Sequence, residues 1–243
     1  MPAWTAFAGF VGVVLAGLLF LSHASADALT STTESPDDYP STLNDRVVGS
    51  PSPPTASLLL NVVVSQGLFA LLLGLGVWLA DIPLSALGLS PTAVGPAALG
   101  AGVALGVALH ALNTLGSRLG DRFGLGESEA LREALSPESP AGWAVLLFVA
   151  LPLVAGFEEL LFRGILVGAL ATGFDVSPWL LAASSSVAFA LGHGAQGRIG
   201  VVVTGLLGFV LAAAFVLTGS LATVVLAHYL VNALEFVVNE RGD

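Results

Sequence analysis

The chain has 243 residues, 55% of them hydrophobic and only 10% charged, with a mean hydropathy of +0.90. Soluble domains carry about 25% charged residues, so the composition excludes an ordinary soluble globule and points to a polytopic membrane protein. The absence of cysteine excludes disulfides and thiolate metal sites; seventeen acids against seven arginines and no lysine, a net charge of −10, argue against a nucleic-acid partner.

Residues 3–22 form the first apolar run, and about 20 such residues cross a bilayer. Ala24-Ser25-Ala26 follows, a pattern of the kind signal peptidases cut. No Lys or Arg precedes the run, so 1–26 reads as a retained transmembrane helix rather than a signal peptide. Residues 27–57, rich in Pro, Ser, Thr and Asp, read as an acidic flexible loop. From 58 to 243 the chain reads as one membrane-embedded helical domain. Its first two spans are 58–80 and 96–116, the second with Gly102 and Gly106 to permit close helix packing. The charged stretch 117–140 reads as a surface helix and turn, and arginine counting places it on the cytoplasmic side. A span at 141–157 follows, with Pro152 predicting a kink; residues 164–173 either extend it or fold back. Further spans are 178–192, 199–218 and 220–238, with short breaks at 193–198 and 219. The expected fold is an all-α polytopic bundle of about seven transmembrane helices. The terminal Arg-Gly-Asp reads as a three-residue coincidence and is given no functional weight.

Charges are costly at bilayer depth, about 2.5–3.5 kcal/mol each on insertion scales. Beyond residue 140 the ionisable groups in or beside the spans include Glu158, Glu159, Arg163, His193, Arg198, His228 and Glu235. Glu159 and Arg163 stand four apart, with the glutamate N-terminal, the better orientation for a helical ion pair. Glu158 lies about 100° further round the helix and can address another partner. Phe189 and His193 share a helix face, as do His228 and Asn232. His110 and His23 read as ordinary helix histidines; Glu235 either extends the His228/Asn232 face or sits at the interface.

In this order, the patterns E-E-x-x-x-R, F-x-x-x-H and H-x-x-x-N resemble the CPBP intramembrane proteases. That family includes the type II CAAX prenyl endopeptidases and the bacteriocin-processing and immunity proteins of the Abi group. The matching positions are Glu158, Glu159 and Arg163, then Phe189 and His193, then His228 and Asn232, all within a protease-like core at 140–238. The resemblance implies an intramembrane endopeptidase acting on a membrane-associated peptide or protein, in a multi-pass protein of the cell membrane. Amide hydrolysis needs an activated water and a site for the developing oxyanion. The catalytic set the resemblance implies is Glu158, Glu159, His193, His228 and Asn232: Glu158 with His193 would activate the water, while His228 and Asn232 would stabilise the oxyanion. Arg163 and Phe189 would support them, Arg163 through Glu159. The resemblance leaves two schemes open, one metal-free and one with zinc held by Glu158, His193 and His228. Asn is a poor zinc ligand, which favours no cofactor. Two other classes compete: an ion- or proton-coupled transporter, for which no inverted repeat is visible, and a non-catalytic membrane scaffold with a protease-like fold.

Overall fold

Within lipid no water can satisfy a free peptide group, so a chain this apolar folds into elements that bond their own backbone. The computed structural model describes residues 1–33, 54–121 and 135–240, and among these it contains helices and no strand. Most of the acidic loop, the middle of the charged 117–140 stretch and the terminal Arg-Gly-Asp lie outside the described residues, as does the Arg198 side chain.

Seven principal helices follow in order: α1 (Trp4–Thr33), α2 (Thr55–Leu79), α3 (Pro96–Asp121), α4 (Pro140–Phe174), α5 (Pro178–Gly192), α6 (Gly197–Thr218) and α7 (Leu221–Glu240). Six contain an apolar stretch long enough to cross a membrane; α5, with 15 residues, is too short by length. The protein is thus a multi-pass helical membrane protein, with the predicted span 178–192 realised as a short helix that buries one face (Ala182, Ser185, Ser186 and Phe189) and exposes Leu180 and Val187 on the other. Helix α1 runs through Ala24-Ser25-Ala26 without a break and continues to Thr33.

Helix α4 shows why one long helix replaces a span and a return. Pro140 opens it at a position where no amide donor is needed, and Ser139 Oγ accepts from Gly142 N at 3.1 Å. Pro152 removes a donor and crowds the preceding turn. The chain accommodates it with a widened π-helical turn over Leu146–Ala150, and the helix continues. A second π segment covers Leu160–Ala169, so residues 164–173 extend the helix. Such widened turns are rare and are found frequently at functional sites. Asp175, with left-handed backbone at φ 54°, ends the helix.

The helices run back and forth between two ends of the bundle. One end gathers the start of α1 and the end of α2, through Ala3 N to Ala80 O at 2.9 Å. It also holds the start of α7, through Leu221 N to Gly88 O at 3.0 Å. Gly219, at φ 61°, makes the tight reversal between α6 and α7. Helix α3 lies along α7 at close range: a Cβ at Gly102 would sit 2.8 Å from Thr223 O, and one at Gly106 would sit 2.8 Å from Leu230 Cβ. Helix α4 occupies the centre, packed against α2, α5, α6 and α7, and 44% of its apolar span is buried.

Candidate active site

The site is assembled from α4, α5 and α7, and its anchor is local. Arg163 Nη1 donates to Glu159 Oε1 at 2.8 Å, one turn away on α4, and both residues are 0% exposed. The i,i+4 spacing persists although Arg163 lies inside the π segment. Further bonds offset the desolvation of such a pair, although Arg163 Nε makes none among the described residues. Arg163 Nη2 donates to the Gly208 carbonyl of α6 at 2.8 Å, and the guanidinium lies over the Phe189 ring at 4.7 Å from its centroid.

Glu159 has a second donor, from α7: His228 Nδ1 lies 2.7 Å from Glu159 Oε1. A carboxylate can only accept, so Nδ1 carries the hydrogen and the opposite nitrogen is aimed away from Glu159. That nitrogen, His228 Nε2, faces Glu158 Oε2 at 3.8 Å. Both donors converge on Oε1, and Glu159 Oε2 makes no hydrogen bond among the described residues. Glu159 thus does more than balance Arg163, because it also fixes the His228 ring.

Helix α5 supplies His193 just past its last turn. The final carbonyls of a helix lack amide partners, and the His193 ring satisfies one of them, with Nδ1 2.8 Å from Phe189 O. The carbonyl accepts, so Nδ1 donates, and in the neutral ring Nε2 is then the acceptor. His193 Nε2 faces Glu158 Oε1 at 4.0 Å. Phe189 is the ring round which the site is built. It meets His193 at 4.5 Å between centroids and Phe162 edge-on at 5.0 Å, and His228 approaches at 6.1 Å. The side chains of Glu158 and His193 are 12% and 25% exposed, whereas that of His228 is 5% exposed, so the first two form the accessible side of the cluster.

The structure therefore brings together Glu158, Glu159, Arg163, Phe189, His193 and His228. Asn232 lies one turn beyond His228 on α7 and is half-buried, but its side chain makes no hydrogen bond to the other site residues. Glu235 turns to α3, where it accepts from Asn113 Nδ2 at 3.2 Å and faces His110 Nδ1 at 3.6 Å. The carboxylate that His110 faces thus lies across a helix interface rather than within its own span, and Nδ1 makes no hydrogen bond among the described residues. Among the described residues no three His, Asp or Glu side chains are gathered closely enough to hold a metal ion. The contacts of Glu158 with His193 and His228, 4.0 and 3.8 Å, exceed the roughly 3.4 Å between neighbouring ligands of tetrahedral zinc. As placed, these residues stand too far apart to form a closed zinc set.

Two supports were not legible in the sequence. Gly208 is one of 29 glycines, and nothing nearby marks its carbonyl as an acceptor for Arg163. A Cβ there would sit 3.0 Å from Phe189 Cδ1 and 3.3 Å from Arg163 Nη2, so the missing side chain is what lets the two approach. Ser185, within a Ser-Ser-Ser run, donates to Phe162 O at 2.5 Å and ties α5 to the π segment of α4.

A multi-pass helical membrane protein with carboxylates and imidazoles gathered inside its bundle has the makings of an intramembrane hydrolase. Residues 140–234, spanning α4 to most of α7, match the family described as Type II CAAX prenyl endopeptidase Rce1-like. Over that region the match supports a likeness to the CPBP/CAAX proteases. No curated protein and no solved structure matches it.

Proposed function

We propose that the protein is an intramembrane endopeptidase of the cell membrane that hydrolyses a peptide bond in a membrane-associated substrate. The observation carrying this reading is the Glu158 carboxylate facing two imidazole Nε2 atoms, His193 at 4.0 Å and His228 at 3.8 Å. These gaps are too long for direct hydrogen bonds. One water, roughly 2.8 Å from each atom, spans such a gap.

A water between Glu158 and His193 donates one O–H to the carboxylate and the other to Nε2, leaving its lone pairs for a carbonyl carbon. Glu158 takes the proton as the oxygen–carbon bond forms. The carbonyl oxygen gains the charge, and His228, with a proton on each ring nitrogen, donates from Nε2 to that oxyanion while Nδ1 stays on Glu159. Asn232 is a second donor to the oxyanion in this reading; the substrate would have to draw its side chain in. Collapse breaks the carbon–nitrogen bond, and the proton held by Glu158 passes to the leaving amine. Arg163 touches no reacting atom and holds Glu159, which holds His228.

The test is cleavage of a peptide library, unmodified and prenylated, by the full chain in proteoliposomes, with and without chelator. Glu158→Gln keeps size and polarity but removes the base, so turnover should fall by about 10²–10⁴, with thermal stability unchanged. A Glu158→Gln protein that cleaves like wild type would overturn the proposal. Ion flux in the same vesicles without cleavage would favour the transporter class, and substrate binding without cleavage the scaffold. One stoichiometric metal per chain, required for turnover, would replace the metal-free scheme.

A further inference from the structure

The end of α5 sets the direction of His193, and it is held from outside the family-matched region. Of the last carbonyls of α5, Phe189 O takes the His193 ring and Ala190 O takes the His193 amide at 3.1 Å. Gly192 O takes Ser22 Oγ of α1 at 2.5 Å. The Gln196 amide then bonds back to His193 O at 3.0 Å, and Thr204 Oγ1 of α6 donates to the Gln196 side chain at 2.6 Å. Residues 192–196 are therefore pinned by α6 on one side and by α1 on the other. Leu19 packs beside Gly192, its Cδ2 3.8 Å from where a Cβ would stand, and α1 lies against both α5 and the short turn Gly194–Gln196. The other half of α1 is fixed independently by buried Phe7, Val11 and Val14, so Ser22 sits on a seated helix and not on a free end.

We infer that Ser22 is a positioning residue for His193. Its hydroxyl fixes where α5 stops, the stop frees Phe189 O for Nδ1, and the Nδ1 bond turns Nε2 toward Glu158. An unpaired carbonyl in an apolar setting seeks another partner. Without Ser22 the last turn of α5 has an alternative closure in which the Gly192 and Phe189 carbonyls compete for donors. Helix α1 then belongs to the active-site architecture although no catalytic side chain comes from it. The inference rests on the role proposed above for His193.

The experiment compares the full chain with Ser22→Ala in proteoliposomes, using the peptide that wild type cleaves. Misplacement of a catalytic group by about 1 Å can cost as much as 10²-fold, and loss of one of several tethers should cost roughly tenfold in kcat. KM and the melting temperature should stay at wild-type values. Nitrogen-15 spectra of histidine-labelled protein, with His193 signals identified from His193→Ala, should show the His193 ring resonances shifted and those of His228 in place. Wild-type kcat in Ser22→Ala, or unmoved His193 resonances, overturns the inference while leaving the peptidase reading intact. Undiminished cleavage by Glu158→Gln and His193→Ala would instead remove the reading on which it rests.

Discussion

Helices α2 and α4 have nearly the same hydropathy, yet 11% of one span and 44% of the other are buried. Helix α2 presents Leu68, Leu71, Leu75 and Trp78 outward. Helix α4 carries Glu158, Glu159 and Arg163 and lies at the centre. In water the more apolar element would be the core. In lipid the apolar surroundings are already outside, so hydropathy decides only that a helix crosses. What draws a helix inward is the polar group it cannot expose, and α4 holds two fully buried ones that require partners from α6 and α7.

That comparison can be broken most directly at its centre. Glu159→Gln leaves Arg163 without its ion pair and His228 without a charged acceptor. Breaking a buried pair by removing one partner costs about 3–5 kcal/mol. Denaturation in detergent should show a loss of that order, with turnover falling as His228 loses its orientation. A melting curve equal to that of wild type would mean that α4 is central for another reason.

The next effect is on rate. His228→Ala removes one oxyanion donor and should lower kcat by about 10²–10³, with substrate affinity little changed because the charge it meets arises only in the transition state. Equal losses in kcat and in affinity would place His228 in ground-state binding. Paired elemental analysis of the active wild-type and variant proteins checks whether any bound metal is lost with the histidine.

A smaller effect is expected where the partner helix approaches. Gly208→Ala puts a methyl group 3.0 Å from Phe189 and 3.3 Å from the Arg163 guanidinium. Overpacking of this kind costs about 1–3 kcal/mol, and it should lower kcat through a displaced Phe189 and His193. Full stability and rate in this variant would show that α6 is free to yield.

The smallest effect sharpens the other side. Leu71, on α2, is 74% exposed toward the apolar surroundings. Leu71→Ala should change stability by no more than about 0.5 kcal/mol, measured by the same detergent denaturation. A loss comparable to that of Gly208→Ala would mean that the outer face of α2 packs against another element.

What the sequence determined by itself is what local physics can reach. Apolar length fixed the helices, because a backbone in lipid must bond to itself. The four-residue spacing placed Arg163 on Glu159 and His193 beside Phe189, because neighbours one turn apart meet whatever surrounds them. The close approach at Gly102 and Gly106 was legible for the same reason, since small residues one turn apart make a groove on their own helix. Tertiary structure decided the rest. It set His228 on Glu159, Arg163 on the Gly208 carbonyl, Ser22 on Gly192 and His110 on Glu235, and it left Asn232 outside the hydrogen-bonded cluster. These meetings depend on how each helix is rotated and how closely its neighbours pack. Periodicity along one helix carries neither quantity, because both are set by the side chains of the helix opposite.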